Sequence, residues 1–189
     1  MLALMQTHPT VVLVDADDHP LGLADKLDAH RRGALHRAFS VFVFDAGGRT
    51  LLQRRAADKY HSGGLWSNAC CSHPRPGPDL PAQARARLHE EMGMDCALTT
   101  LGTVQYRRDV GGGLVEHELD HVLAGRASAL PDPRPAPGEV MDWRWVAWAQ
   151  FVADLRAPPQ RYTAWLAPIV AHLGAELGTF AHTPPAARP

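Results

Sequence analysis

The 189-residue chain has no surplus of charge of either sign: 19 Lys and Arg stand against 20 Asp and Glu, for a formal net charge of −1. That balance excludes the strongly basic footprint of a nucleic-acid binder, and no nucleic-acid partner is expected. Cysteine is scarce. Cys70, Cys71 and Cys96 cannot build a disulfide framework, so the reading is of a reducing, cytoplasmic setting in which each thiol is either filler or chemistry. No apolar run reaches the roughly 18 residues of a membrane span, and no membrane partner is expected. The opening MLALMQTHP has neither the basic flank nor the apolar length of a secretory signal. Phe and Tyr are few, five and three, whereas there are eleven His, which makes metal binding the first chemistry to test. With 46% hydrophobic and 21% charged residues, the composition is that of one ordinary globular domain that needs no structural metal to hold its core.

No internal repeat is visible. Thr10 to Asp15 (TVVLVD) reads as a buried strand, closed by a turn-rich stretch over residues 16–20. Ala38 to Asp45 is a second strand, and Asp45-Ala46-Gly47-Gly48 supplies hairpin chemistry before a third over Arg49 to Arg54. Asp79, with Pro81 in the first turn behind it, predicts a helix to about Met92, capped by Gly93. Leu101 to Arg108 and Leu114 to Arg126 flank Gly111-Gly112-Gly113 as another hairpin. A proline-rich surface loop over residues 131–138 leads to a strand over 140–148. Pro158-Pro159 then interrupts two helical stretches, the second from about Tyr162 to Leu177. The tail over residues 178–189 has no periodicity and is expected to be disordered, which leaves residues 1–177 as a single domain. Strands and helices interleaved with hairpins predict an α/β sandwich on a mixed sheet.

Alternate residues of a strand share a face, so Glu116, Glu118 and Asp120 point one way and His117, Leu119 and His121 the other. Two carboxylates so close repel unless a cation or a shared proton separates them. A solvated strand face is the plain alternative for an isolated E-x-E. In Asn68-Ala69-Cys70-Cys71-Ser72-His73 a thiol lies two positions from an imidazole; the plain alternative is a small buried Cys beside a loop His. His30 and His36 flank a short basic stretch and would singly read as surface residues. Together, three imidazoles and two carboxylates would suit Zn²⁺ or Mn²⁺, but spacing alone does not show that they converge. Lys26, Arg55, Lys59 and Arg87 border the same segments and could hold phosphate. Glu90-Glu91 ends the helix begun at Asp79, where a carboxylate opposes the helix dipole. That is a weak pointer to Mg²⁺ against the plain reading of a charged helix face.

The segments DKLDAH, HRAFS, RRAADK, LWSNACCSHP, ARLHEEMG, QYRRD, LVEHE, EVMDW and RYTAWLAP, in that order from about residue 8 to 170, resemble the type I isopentenyl-diphosphate isomerases. These are the metal-dependent isomerases built on a Nudix-like α/β/α fold. The resemblance implies that Cys71, rather than Cys70, is the catalytic thiol. It makes Glu118 the opposing carboxylate with Tyr106 beside it, and Trp165 the aromatic lining of the hydrocarbon end. It implies a metal site of His30, His36, His73, Glu116 and Glu118 holding Mn²⁺ or Zn²⁺. It also implies a Mg²⁺ held with the diphosphate by Glu91 and the Cys71 carbonyl, and diphosphate contacts from Lys26, Arg55, Lys59 and Arg87. The implied reaction, in isoprenoid biosynthesis, moves a double bond between isopentenyl and dimethylallyl diphosphate through a carbocation-like state. Glu118 with Tyr106 would deliver a proton and Cys71 remove one, the reverse assignment staying open. The protein is expected to act as a monomer on a small prenyl diphosphate.

Three features depart from the family pattern. The His30–His36 interval is one residue short, Ser72 stands where glycine is usual, and Gly63-Gly64 replaces Pro-Gly, a change expected mainly to alter loop stiffness. A Nudix-type hydrolase of small diphosphates is the alternative. The hydrolase box G-x5-E-x7-R-E-U-x-E-E-x-G-U speaks against it, because Ser72, Pro78, Ala86 and Arg87 occupy its G, E, R and following E positions. A cation there suits gripping a diphosphate better than activating water.

Overall fold

A computed structural model describes residues 9–77, 79–127, 132–157 and 161–183, and in it the apolar run AFSVFVF forms the body of β3 (His36–Phe44). Both faces of this strand are covered, which is why it reads as near-continuous rather than alternating. Along one edge it pairs in parallel with β8 (Leu114–Arg126), from His36 opposite Glu118 to Phe44 opposite Arg126. Three antiparallel partners share the other edge. They are β1 (Thr10–Val14) at Leu13–His36, β6 (Cys70–Ser72) from Phe39–Ser72 to Val41–Cys70, and β4 (Arg49–Arg55) at Phe44–Thr50. The sheet is completed by β2 (Pro20–Asp25) on β1, β5 (Trp66–Ser67) and β9 (Val140–Ala147) on β4, and β7 (Leu98–Gly111) on β8.

Alternation along β3 divides the core. Phe39, Val41 and Val43 pack against Leu88 and Met92 of α2 (Leu80–Met92). Phe42 and Phe44 pack on the opposite face against Phe151 of α3 (Trp148–Asp154) and against Leu166, Ile169 and Leu177 of α4 (Leu166–His182). A mixed sheet between helices is the α/β/α sandwich expected from the sequence. The start of α2 also follows its signals: the Asp79 carboxylate accepts from the Ala82 N–H at 2.9 Å, and Gly93 closes the helix at φ +64°. A side-chain cap of this kind contributes about 1 kcal/mol. Among the described residues no helix is long and apolar enough to cross a membrane.

Several elements differ from expectation. β7 begins at Leu98, and the strand expected over 140–148 ends at Ala147, with Trp148 opening α3. The last helix starts later and ends later than expected, at Leu166 and His182. Gly178 is not a stop there, because a Cβ at this position would lie 3.0 Å from Trp148 Nε1, so the glycine admits the indole. Arg126 then donates to the Phe180 and Thr183 carbonyls at the helix end. Of the expected disordered tail, residues 184–189 lie outside the described residues, as do Pro158-Pro159 and residue 131 of the proline-rich loop. Four short elements were not read from the sequence: β2, β5, β6 and α1 (Lys26–Arg32). At two to seven residues, each is too short to display a period.

Candidate active site

The V-E-H-E segment of β8 turns Glu116, Glu118 and Asp120 into the protein, at 3%, 7% and 0% exposure. A solvated strand face is thereby excluded. His117 and His121 occupy the other face, bonded to the Gly33 carbonyl and to Asp18. The register of β7 sets Tyr106 opposite Glu118, where its hydroxyl donates to Glu118 Oε2 and stands 3.3 Å from Asp120 Oδ2. Ser40 donates to the same Asp120 oxygen at 2.8 Å.

Three histidines reach the carboxylates from three different elements. His36 begins β3 directly beside Glu118, His73 follows β6, and His30 sits in the last turn of α1. α1 forms because the Asp25 carboxylate caps the Asp28 N–H at 2.9 Å and Gly33 closes the helix in the left-handed region. His30 Nδ1 donates to the Lys26 carbonyl at 2.6 Å, and His36 Nδ1 to the Ala34 carbonyl at 2.8 Å. Both rings are thus oriented with Nε2 toward the carboxylates, the arrangement that prepares imidazole for a metal. One ligand atom from each of His30, His36, His73, Glu116 and Glu118 lies within 4.8 Å of all the others. His73 Nε2 is 2.9 Å from Glu118 Oε1 and 3.2 Å from His36 Nε2. Glu116 Oε2 is buried with no hydrogen-bond partner among the described residues, 3.2 Å from His30 Nε2. A buried carboxylate oxygen facing an imidazole nitrogen, within a cluster of three imidazoles and two carboxylates, is a donor set that fits a divalent cation.

Burial shapes the protonation of this cluster. Desolvation pushes His73 down to about 4, aided by the Lys26 charge, so that its ring is neutral near pH 7. Burial acts the same way on His36, but its bond to Glu118 outweighs that and raises it overall. Glu118 itself is opposed by burial, yet donation from His36 and His73 holds it well below the usual carboxylate range. Burial and the charge on Glu118 hold both Asp120 and Tyr106 well above their ordinary values.

Across the cleft, β6 separates the two adjacent thiols by alternation. Cys70 enters the core with Leu88 and Met92, whereas Cys71 opens onto the cleft. Burial pushes the Cys71 thiol up to about 12, partly countered by Arg55, whose guanidinium nitrogen stands 3.9 Å from the sulfur. The cleft measures about 360 Å³ including its open mouth, at the small end of ligand sites. Lys26, Arg55, Cys71, His73, Tyr106, Glu116, Glu118 and Trp165 all line it. Trp165 is buried, held by donation from Nε1 to Asn68 Oδ1 at 3.1 Å, with the Arg55 guanidinium 5.3 Å from its ring. Asn68 in turn donates to the Val41 and Cys70 carbonyls, so one side chain ties the thiol strand to the indole.

Lys59, Arg87 and Glu91 are not among the lining residues. They form an adjoining cluster in which Lys59 pairs with Glu139. Arg87 contacts Glu90 at 3.0 Å, Glu91 at 2.8 Å and Glu139 at 2.9 Å. Gln53 links this cluster to the site by donating to Glu91 at 2.8 Å and to the Ala69 carbonyl at 3.0 Å. Each Glu91 oxygen already accepts one hydrogen bond, which leaves it a lone pair for a cation.

The three departures are absorbed. The shortened His30–His36 interval still brings the two ring centroids to 4.8 Å. Ser72 pairs with Phe39 in β6, and its φ is not positive, so glycine is not required. Gly63 does more than alter stiffness, since a Cβ there would collide with the Ala57 carbonyl. Sequence reasoning passed over Asn68, Asp120's partner Ser40, and the cleft residues Tyr60 and His61. Asn68 was within reach of it, standing in the cysteine motif itself. Ser40 ends the HRAFS segment without any spacing that marks it, and Tyr60 and His61 lie between the matched segments.

A NUDIX domain family model matches residues 34–166. "Isopentenyl-diphosphate Delta-isomerase 2" of Aromatoleum aromaticum is 54% identical over 159 residues, which is 83% of this chain and 82% of that one. "Isopentenyl-diphosphate Delta-isomerase" of Serratia proteamaculans is 44% identical over 165 residues, 87% and 91% of the two chains. Among solved structures, DR0079 from Deinococcus radiodurans superposes with a TM-score of 0.67 at 17% identity, over 93% of this chain and all of that one, a likeness of fold alone.

Proposed function

Since the chain belongs to the isopentenyl-diphosphate Delta-isomerases built on the Nudix domain, we propose that its cleft moves protons between Cys71 and the Tyr106–Glu118 pair across one alkene. The protein is an isomerase of isopentenyl diphosphate, with dimethylallyl diphosphate as the product. The observation that carries the residue assignment is that the Cys71 thiol and the Glu118 carboxylate, from strands on opposite sides of β3, open onto the same small cleft.

An unactivated alkene must gain a proton at one carbon and lose one from another, so two proton-handling groups are needed. The reaction is an equilibrium between two alkenes; each group is therefore the acid in one direction and the base in the other. In the free site the thiol carries its proton and Glu118 is ionised. One group is loaded and the other empty, as a turnover requires; a turnover leaves them the opposite way round, and proton exchange with water resets them for the next in the same direction. Tyr106 keeps its proton and donates to Glu118, so it steadies the carboxylate or passes the proton on. Acid–base catalysis of this kind contributes about 10²–10⁴-fold. Trp165 supplies a π face for the positive charge that develops on carbon, an interaction of about 2 kcal/mol or more when desolvated. The buried walls keep water from trapping that cation.

Lys26 and Arg55 anchor the diphosphate at the cleft, and remote binding of this kind holds the hydrocarbon end in place. Lys59 and Arg87 complete the basic cluster once a diphosphate competes with Glu139 for them. Glu91 and the Cys71 carbonyl would hold Mg²⁺ with the diphosphate. His30, His36, His73, Glu116 and Glu118 would hold Mn²⁺ or Zn²⁺, a bound cation that neutralises the paired carboxylates and orients Glu118. Hydrolysis is not favoured, because Arg87 occupies the position of a box glutamate and is tied to three carboxylates. The test is incubation with isopentenyl diphosphate and Mg²⁺ plus Mn²⁺ in D₂O, followed by proton NMR. Deuterium entering the methyl groups of an allylic product is expected; release of inorganic phosphate or diphosphate without it would refute the assignment.

A further inference from the structure

His61 lies between the segments that carry the site assignments, yet its side chain is buried and lines the cleft. Its Nε2 stands 2.8 Å from Glu116 Oε1. A carboxylate only accepts, so this close buried contact favours the tautomer that has its proton on Nε2. The other oxygen of the same carboxylate, Oε2, is the one unpartnered among the described residues, and it faces His30. His61 is not one of the five residues whose ligand atoms converge. The two oxygens of Glu116 thus face different histidines: Oε1 lies 2.8 Å from His61, and Oε2 lies 3.2 Å from the metal-site residue His30.

The imidazole is itself held on several sides. Its ring meets Trp165 edge-on at 6.1 Å and Tyr60 at 4.3 Å, and Nδ1 is 3.1 Å from Ser62 Oγ. Arg55 donates to its backbone carbonyl at 3.4 Å. The chain turns sharply just after it, with Ser62 in the left-handed region at φ +53°, a conformation that costs a non-glycine residue about 1–2 kcal/mol. Gly63 then passes so close to Ala57 that on this backbone a Cβ would collide with its carbonyl oxygen. A strained turn followed by a glycine packed close to the Ala57 carbonyl fixes this backbone path and with it where the His61 ring lies.

We propose that His61 is a positioning residue of the metal site, donating to Glu116 Oε1 so that Oε2 is presented to the cation. The inference rests on the metal-site reading above and deepens it. Outer partners of ligating groups typically change metal affinity by about 10–100-fold when removed. Two variants separate the donor from the packing. His61→Phe keeps a ring against Trp165 and Tyr60 but has no N–H, whereas His61→Gln keeps an N–H donor at similar reach without the ring. Metal-free wild type and variants are titrated with Mn²⁺ alone, free Mn²⁺ being read by electron paramagnetic resonance, and the Tm of each metal-free protein is recorded. The expected result is Mn²⁺ binding about 10–100-fold weaker in His61→Phe and within about threefold of wild type in His61→Gln. In His61→Phe, kcat should fall more than KM for isopentenyl diphosphate rises. Wild-type affinity in His61→Phe would overturn the proposal, as would equal loss in both variants, which is what a merely structural role gives. Should His61→Phe fail to fold, His61→Leu takes its place in the comparison. A folded wild type that takes up no Mn²⁺ refutes the metal-site reading itself and the proposal with it, whereas failure of the variants against a binding wild type falls on His61 alone.

Discussion

Removing a single oxygen by Tyr106→Phe tests whether Glu118 is a working proton carrier. In the native site Glu118 is buried, with Tyr106 on Oε2, His73 on Oε1 at 2.9 Å, and His36 at 3.5 Å from that same oxygen. A hydrogen bond to a charged group is worth about 1.5–3 kcal/mol net, and 1.36 kcal/mol corresponds to one pKa unit. Tyr106 stabilises the ionised form, so its loss moves the Glu118 carboxyl upward from the depressed position that its histidine partners maintain. The acid limb of the kcat profile should move to higher pH. At neutral pH kcat should fall by about 10–100-fold, as the same energy converts to rate. KM for isopentenyl diphosphate should stay within about twofold, because Lys26 and Arg55 are untouched. Asp120 keeps its 2.8 Å bond from Ser40, but loss of the bond to ionised Glu118 should lower the metal-free Tm by roughly 3–12 °C. Proton NMR of product formation from pH 3 to 9, with a thermal melt of each protein, supplies all four readings. An unmoved acid limb together with kcat within twofold of wild type would refute the reasoning.

Other outcomes follow from the same geometry. Cys71→Ala should abolish turnover, whereas Cys70→Ala should leave most of it and cost stability by about 1 kcal/mol as a small core deletion; equal loss of activity in both would remove the thiol assignment. With its pKa near 12, Cys71 is protonated at pH 8 in all but about one molecule in ten thousand. Its alkylation, followed by mass spectrometry, should therefore rise about tenfold per pH unit from pH 7 to 10, and a plateau below pH 9.5 would contradict the burial argument. Trp165→Leu should lower kcat by about 30-fold, the rate equivalent of 2 kcal/mol, with diphosphate affinity little changed; a silent substitution would end the cation-stabilising role. Chelation should inactivate the protein, and Mn²⁺ or Zn²⁺ together with Mg²⁺ should restore it. Full activity after exhaustive metal removal would contradict the five-residue site.

The chain's own periodicities determined much of this protein. The apolar run of β3, the Asp79 cap and Gly93 stop of α2, and the glycine turns of two hairpins are local signals, each readable because a strand or helix imposes a short-range pattern. The alternation in V-E-H-E likewise fixed that Glu116 and Glu118 share a face. What alternation cannot say is whether a face meets water or another element. Only the parallel pairing of β3 with β8 set His36 beside Glu118, and only a seven-residue helix too short to show a period brought His30 to Glu116. The same holds for the two adjacent thiols. Alternation separates Cys70 from Cys71, but it is the packing of α2 on one face of the sheet and α4 on the other that makes one a core residue and leaves the other in the cleft. His61 was illegible because its function is a distance to a residue 55 positions away, created by a tight turn and a close backbone approach. Composition and spacing record local conformational preference; convergence of distant side chains is a property of the assembled sheet, where desolvation and hydrogen bonding are decided.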